Sequence, residues 1–190
     1  MKMKTMMAAA CAAAALSAAA DAPRSVVSLS GKGWLCDGNE VCIPHTWNDV
    51  DGADGSPEGD APPARGMSIA AESYVRKAAR YSRPLPDPTA GRRQFVRFEG
   101  VSRVAEVYVN GTYCGTAWKE PYRVDVSGAL RDGENKLEIR VANTWPNRLI
   151  GDQQPGAIPV TYTDSRPYRA GDALRAGGLL GPVKLFEQQQ

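Results

Sequence analysis

The stretch from Phe95 to Gly115, FVRFEGVSRVAEVYVNGTYCG, decides the fold class of this chain. Apolar residues alternate with polar ones in two runs, and the alternating apolar positions are Val96, Phe98, Ala105, Val107 and Val109. A period of two is typical of a β-strand that is buried on one side only. Asn110-Gly111 follows the second run, and this pair favours the tight turn of a β-hairpin. The stretch therefore predicts consecutive strands of an antiparallel sheet.

The same alternation recurs on both sides of this stretch. Tyr122–Val126 and Leu137–Val141 alternate clearly, and Tyr74–Tyr81 and Pro182–Phe186 are two further candidate strands. No long window shows helical periodicity, and short strands separated by turn residues indicate a sandwich or jelly roll. We therefore predict an all-β fold, an antiparallel jelly-roll β-sandwich.

Two stretches lack strand character. Asp49–Arg65 is rich in Asp, Gly, Pro and Ala, and Asn147–Gly178 mixes Pro, Gly, Gln and Arg. Both are predicted to be long loops, which usually carry function when they are ordered. We place the folded domain at residues 21–187, followed by a disordered tail at 188–190.

The first twenty residues have the layout of a secretory signal peptide. Lys2 and Lys4 precede an apolar run, Met6–Leu16, and small residues lead up to Ala20. This order predicts cleavage near Ala20 and export to the periplasm or the medium. A buried, Ala-rich helix is the alternative. The run is too short to span a bilayer, which needs about 20 apolar residues.

The charge balance argues against nucleic acid as a partner. The chain has 23 Lys and Arg against 21 Asp and Glu, and loss of Lys2 and Lys4 would leave 21 of each. A nucleic-acid-binding domain usually carries a clear basic excess. We therefore predict no nucleic-acid partner.

Export would permit disulfide bonds. Cys36 and Cys42 flank the turn residues 37–40, and a three-residue hairpin loop would set the two thiols opposite each other. They are a candidate disulfide, with two free thiols as the alternative, and Cys114 would remain unpaired. The single histidine, His45, excludes the usual Cys/His zinc patterns.

A resemblance emerges at residues 43–48, IPHTWN. This motif resembles a signature near the start of the sugar-binding domain of glycoside hydrolase family 2. FVRFEGV at 95–101 and AEVYVNGTYCG at 105–115 resemble later strands of that domain. Residues 143–152 and 178–183 are similar to the terminal β-sandwich of rhamnosidase-like hydrolases. The resemblance implies a galactose-binding-like jelly roll.

The resemblance assigns no catalytic residue to this chain. In family 2 enzymes the acid/base and nucleophile glutamates lie in a separate TIM barrel, which needs about 250 residues. The sequence contains no marked pair of carboxylates, and no Gly-x-Ser-x-Gly motif accompanies His45. His45 is predicted to be structural, and whether the chain takes part in an enzyme stays undecided.

Sugar binding requires an aromatic platform and planar polar side chains. One segment collects these residue types: Asn143, Trp145, Asn147, Arg148 and Asp152. Trp145 would stack on a sugar, and the polar residues would bind its hydroxyls. In the alternative, Trp145 packs on the sandwich and Arg148 pairs with Asp152 to hold the loop. Trp118 is a further sugar-contact candidate, with edge packing as its alternative.

The acidic loop offers a weaker candidate for a structural calcium site. Its carboxylates are Asp49, Asp51, Asp54, Glu58 and Asp60, and their spacing does not match an EF-hand. A solvated loop is the preferred interpretation, and no other cofactor is predicted.

Three functions follow from these observations. The preferred one is an exported carbohydrate-binding module that recognises a glycan or polysaccharide without cleaving it. The second is a truncated or split glycosidase, similar to β-galactosidase or β-glucuronidase, which would hydrolyse glycosides only with a separate catalytic barrel. The third is a structural or interaction protein that keeps the sandwich without a sugar site.

Overall fold

The computed structural model describes residues 24–47 and 78–189. The predicted signal peptide, the acidic loop and the N-terminal half of the Tyr74–Tyr81 strand lie outside the described residues. Within these ranges the elements are β1 (Arg24–Ser28), β2 (Gly31–Cys36), β3 (Asn39–Ile43), β4 (His45–Thr46), β5 (Ala78–Leu85), β6 (Arg92–Phe98), β7 (Val104–Val109), β8 (Thr112–Ala117), β9 (Arg123–Asp125), a 3-10 turn (Ser127–Ala129), β10 (Asn135–Ala142), α1 (Pro146–Gly151), β11 (Gly178–Leu179) and β12 (Val183–Gln189).

The described strands form two main antiparallel sheets. One sheet has the order β1-β12-β6-β9, and the other has the order β3-β2-β5-β10-β7-β8. A small third sheet joins β4 to β11. Strands that are distant in sequence, such as β1 and β12, are neighbours in space, as a jelly roll requires. The predicted all-β jelly-roll sandwich is confirmed.

The core lies between the inward faces of the two main sheets. Val96 and Phe98 of β6 are buried, as are Val107 of β7 and Ile139 of β10. These side chains belong to one continuous apolar cluster, which also contains Trp34. The alternation seen in the sequence therefore identifies the buried face of each central strand.

The predicted disulfide is wrong. The β2–β3 hairpin turns through only two residues, because Asp37 (φ 50°) and Gly38 (φ 92°) both adopt positive φ and pair Cys36 with Asn39. Cys36 is buried and Cys42 is exposed, so the two side chains lie on opposite faces, and no disulfide joins them.

Two boundaries differ from the sequence prediction. Gln188 and Gln189 lie in β12, opposite Arg93 and Arg92, although the tail was predicted to begin at residue 188. The stretch predicted as a loop from Asn147 to Gly178 contains most of α1 and the first residue of β11. The end of β12 is a strand because it pairs with β6, which is distant in sequence. The α1 and β11 segments are too short to show periodicity.

Candidate functional site

The strand register brings the candidate sugar-binding residues to one end of the sandwich. Ala142, the last residue of β10, pairs with Val104 at the start of β7. Ala117, the last residue of β8, pairs with Ala105. The residues that precede β7 and those that follow β8 and β10 therefore lie at the same end. We call it the Trp end, and it comprises residues 101–103, 118 and 143–152.

A cavity of about 290 Å³ opens at the Trp end. Its lining includes Val101, Ser102, Arg103, Asn143, Asn147 and Arg175. The volume is at the small end of the range for ligand pockets in proteins, which begins near 300 Å³. The cavity is therefore suited to a small ligand or to one ring of a larger one.

Asn147 is held by the loop that returns from residue 152 to β11. Its Nδ2 donates to the carbonyl oxygen of Arg175 at 2.7 Å, and the amide of Arg175 donates to its Oδ1 at 2.8 Å. The residue is 2% exposed. Asn147 thus fixes the cavity wall through two backbone hydrogen bonds.

Arg148 and Asp152 form an ion pair within α1 and its C-terminal cap. Arg148 Nη2 lies 2.6 Å from Asp152 Oδ1, and the Asp152 side chain is 2% exposed. The same carboxylate accepts hydrogen bonds from the amide of Thr161 at 2.9 Å, from the amide of Val160 at 3.3 Å, and from the Thr161 hydroxyl. This is the geometry of the loop-holding alternative for these two residues.

These contacts set the ionisation of Asp152. Burial works to raise the pKa of its carboxyl, but the hydrogen bonds from Thr161, Val160 and Arg148 outweigh it and hold the pKa below its ordinary value. Asp152 is therefore an ionised anchor. A low pKa is the opposite of what a general acid needs.

Both candidate tryptophans present surface to solvent. Trp118 is 64% exposed, and Trp145 is 50% exposed. The ammonium group of Lys119 lies 5.3 Å from the centre of the Trp118 ring. Trp145 immediately precedes α1, whose C-terminal cap is held by the Asp152 contacts. The Trp end thus offers two exposed indole rings beside a rigid polar frame.

His45 has a structural partner. Its Nδ1 lies 2.8 Å from the hydroxyl oxygen of Tyr81, and the two rings meet edge to face. Tyr81 is fully buried. Burial raises the pKa of its phenol above the ordinary value, and Cys36 raises it further. The signature histidine therefore ties β4 to the core.

Sequence reasoning missed Ser102, Arg103 and Arg175 as cavity residues. They come from a turn and a loop that carry no motif of their own. No strand pairing predicted from the sequence placed residues 102 and 103 beside the segment that follows β10, so the sequence carried no signal for them. Arg103 also adopts a positive φ of 79°, which marks an unusual turn.

Within residues 24–47 and 78–189, no three His, Cys, Asp or Glu side chains gather in a way that could hold a metal ion. In the same part of the chain, no helix combines the length and apolar character needed to cross a membrane. The calcium candidates lie in the acidic loop, outside the described residues.

Comparison with known families decides where the domain belongs. Residues 65–172, more than half of the chain, match the family described as glycosyl hydrolase 2 galactose-binding domain-like. The chain belongs to this family. FVRFEGV and AEVYVNGTYCG lie within the matched residues, and the predicted resemblance to a family 2 sugar-binding domain is confirmed.

Individual relatives agree with this assignment. A β-glucuronidase of Formosa agariphila is 32% identical over 110 residues, covering 54% of this chain and 10% of that protein. A rhamnosidase structure from Novosphingobium sp. PP1Y shares 36% identity with a TM-score of 0.66, covering 88% of this chain and 15% of that one. An FMN-binding β-glucuronidase structure from Facaelibacterium prausnitzii L2-6 shares 28% identity with a TM-score of 0.56, covering 88% and 23%. The domain therefore spans less than a quarter of each of these proteins.

Proposed function

We propose that the domain is an exported carbohydrate-binding module that holds a glycan at the Trp end without cleaving it. The observation that carries the proposal is the exposure of Trp118 and Trp145 at the end of the sandwich that also holds the small cavity. An indole face stacks favourably on the apolar face of a pyranose ring. Export is part of the proposal and rests on the signal-peptide layout of residues 1–20.

The internal contacts of the loop support this function rather than compete with it. Asn147 and the Arg148–Asp152 pair use their hydrogen-bonding groups on the loop backbone and on each other. They thereby fix the backbone on both sides of α1, directly after Trp145. A platform that is rigid before binding costs less ordering entropy when the ligand arrives. We therefore assign sugar stacking to the tryptophans and positioning to the three polar residues.

The state of two carboxylates, Asp152 at the Trp end and Glu99 just outside it, supports binding without hydrolysis. A glycosidase needs one carboxylic acid with a raised pKa and a second carboxylate across the sugar. Asp152 is buried, ion-paired and low in pKa. Glu99 contacts Lys184, whose hydrogen bond is the main cause that lowers the pKa of the Glu99 carboxyl. Neither group is prepared to donate a proton at neutral pH.

The test is calorimetric titration of the full chain with a broad panel of glycans. We expect saturable binding to at least one glycan, and a loss of affinity of about tenfold or more in Trp145→Ala and in Trp118→Ala, because each removes a stacking contact. Tyr113→Ala is the matched control, since Tyr113 is 55% exposed on β8 outside the Trp end. The proposal fails if the folded protein binds no glycan, or if all three variants lose affinity equally.

A second candidate, the binding part of a split or longer glycosidase, is favoured by a separate observation. Ile158, Val160 and Tyr162 are 86%, 70% and 90% exposed in the loop anchored by Asp152. Such a run of exposed apolar side chains is typical of an interaction surface. This candidate predicts that aryl glycosides are hydrolysed only when a partner polypeptide with a TIM barrel is added. Failure of a co-expressed barrel to associate with the domain would remove it.

A further inference from the structure

A second concave feature of the described residues lies at the end of the sandwich opposite the Trp end. It is a groove of about 750 Å³ whose lining includes Trp34 and Leu35 of β2, Pro84 of β5 and Asn135 of β10. Asn135 begins β10 and Ala142 ends it, so the groove is separated from the Trp end by the length of an eight-residue strand. At about 3.3 Å per residue, this distance is about 25 Å. We call this feature the far groove.

Six charged side chains line the far groove without pairing to one another. Three are acidic and three are basic, namely Glu40, Asp87, Glu134, Arg83, Arg131 and Lys136. None of them forms an ion pair within the described residues, where the salt bridges connect other side chains. The groove lining therefore carries no net charge, and it presents three carboxylates together with the N–H groups of the three basic side chains that make no hydrogen bond within the described residues.

Arg83 is held in place at the base of the far groove. Its Nε donates to the carbonyl oxygen of Pro84 at 3.2 Å, and its Nη1 donates to the carbonyl oxygen of Leu29. The guanidinium lies over the Trp34 ring, 5.4 Å from the ring centre. Trp34 is itself fixed, since its Nε1 donates to the same Leu29 oxygen at 2.6 Å. These contacts fix the orientation of the guanidinium before a ligand binds. Its Nη2 donors make no hydrogen bond within the described residues.

The rest of the floor is equally rigid. Asn135 is 3% exposed, and its Nδ2 donates to the carbonyl oxygens of Arg131 at 2.7 Å and Gly133 at 2.8 Å. Its Oδ1 accepts from Asn110 Nδ2 at 2.7 Å. Leu35 is 41% exposed and adds apolar surface. A floor whose side chains are held by hydrogen bonds before a ligand arrives is typical of a preformed ligand site.

We propose that the far groove is a second carbohydrate site, which takes a neutral oligosaccharide. A sugar hydroxyl both donates and accepts hydrogen bonds, so it uses carboxylates and cations alike. An anionic ligand would face Glu40, Asp87 and Glu134, whereas a cationic ligand would face the three basic groups. The balance of charges thus selects a neutral polyhydroxylated chain, and the apolar surface of Leu35 and Pro86 suits its C–H faces.

The experiment isolates the far groove from the Trp end. The full chain carrying Trp118→Ala and Trp145→Ala is titrated with cellohexaose, xylohexaose and mannohexaose, and separately with hexagalacturonate and a chitosan hexamer. We expect at least one neutral hexasaccharide to bind this double variant. Further substitution of Glu40→Ala, Asp87→Ala and Lys136→Ala should weaken that binding by about tenfold or more, because several hydrogen bonds are lost together.

A matched triple variant controls for charge and for surface change. The control carries Glu120→Ala, Asp164→Ala and Arg166→Ala. Like the first triple variant it loses two acidic groups and one basic group, but all three lie outside the far groove, so the affinity should be unchanged. A second readout is the change in the amide NMR shifts of Leu35 and Asn135 when the double variant binds the hexasaccharide. This readout does not require the triple variant to fold. The proposal is overturned if no neutral hexasaccharide binds, if the two triple variants behave alike, or if either charged oligosaccharide binds more tightly. These outcomes are independent of the result at the Trp end.

Discussion

Replacing Asp152 by Ala is expected to lower the free energy of unfolding by about 3 kcal/mol. The substitution removes the partner of Arg148, whose side chain is only 20% exposed, and leaves a largely buried charge without its counterion. It also leaves the amides of Val160 and Thr161 without their acceptor. Urea denaturation of the two proteins at neutral pH measures the difference.

The matched control for Asp152 is an exposed ion pair. Glu138 lies 2.9 Å from Arg140 on the outer face of β10, and both side chains are partly exposed. Glu138→Ala should cost no more than about 1 kcal/mol, because exposed pairs are screened by solvent. If Asp152→Ala costs no more than Glu138→Ala, the carboxylate does not hold the loop as its contacts indicate.

The pH dependence of stability gives an independent check on Asp152. Its folded pKa is lowered, so it binds a proton less readily in the folded chain than in the unfolded chain. Its contribution is therefore fully present above the ordinary carboxyl pKa of about 3.9 and is lost as the pH falls through the lower folded value. The difference in stability between wild type and Asp152→Ala should shrink over that acid range.

The strands could be predicted because burial of one face imposes a period of two. Val96, Phe98 and Ile139 are buried where the alternation places them. The β2–β3 hairpin was misjudged because Asp37-Gly38 is itself a two-residue turn, and this changes the register by which Cys36 and Cys42 were paired. The polar residues at the end of β12 carry no apolar alternation, and only their pairing with β6 makes them a strand.

The sequence predicted the grouping of the candidate residues and, as one alternative, the Arg148–Asp152 pair, but not their long-range partners. The sequence groups Asn147, Arg148 and Asp152 with Trp145, and the structure keeps these residues together at the Trp end. The main-chain partner of Asn147 is Arg175, 28 residues away, and that of Asp152 is Thr161. Spacing within a loop cannot show such contacts, because they depend on where the loop returns. Residue types therefore indicated the chemistry, and the fold decides which side chains remain available for a ligand.

Gly178→Ala is expected to destabilise the domain by about 3 kcal/mol, because the added methyl group has no space. A Cβ at this position would lie 2.3 Å from the backbone oxygen of His45 and 3.0 Å from the hydroxyl oxygen of Tyr81. Gly178 also has a φ of +148°, which side chains rarely adopt. The clash would involve backbone atoms, so the movement of one flexible side chain cannot relieve it.

The consequence would extend from the core to the Trp end. Gly178 pairs with Thr46 of the IPHTWN motif. Its carbonyl oxygen also accepts a hydrogen bond of 2.9 Å from the amide of Ser102, a residue of the cavity wall. Loss of this close approach should therefore weaken glycan binding as well as stability. Gly171→Ala is the matched control, since a Cβ there meets nothing within 4 Å and its φ is not in the positive region. Thermal unfolding and glycan titration of both variants measure the effects, and equal behaviour of the two would show that the β4–β11 contact does not couple the signature to the cavity.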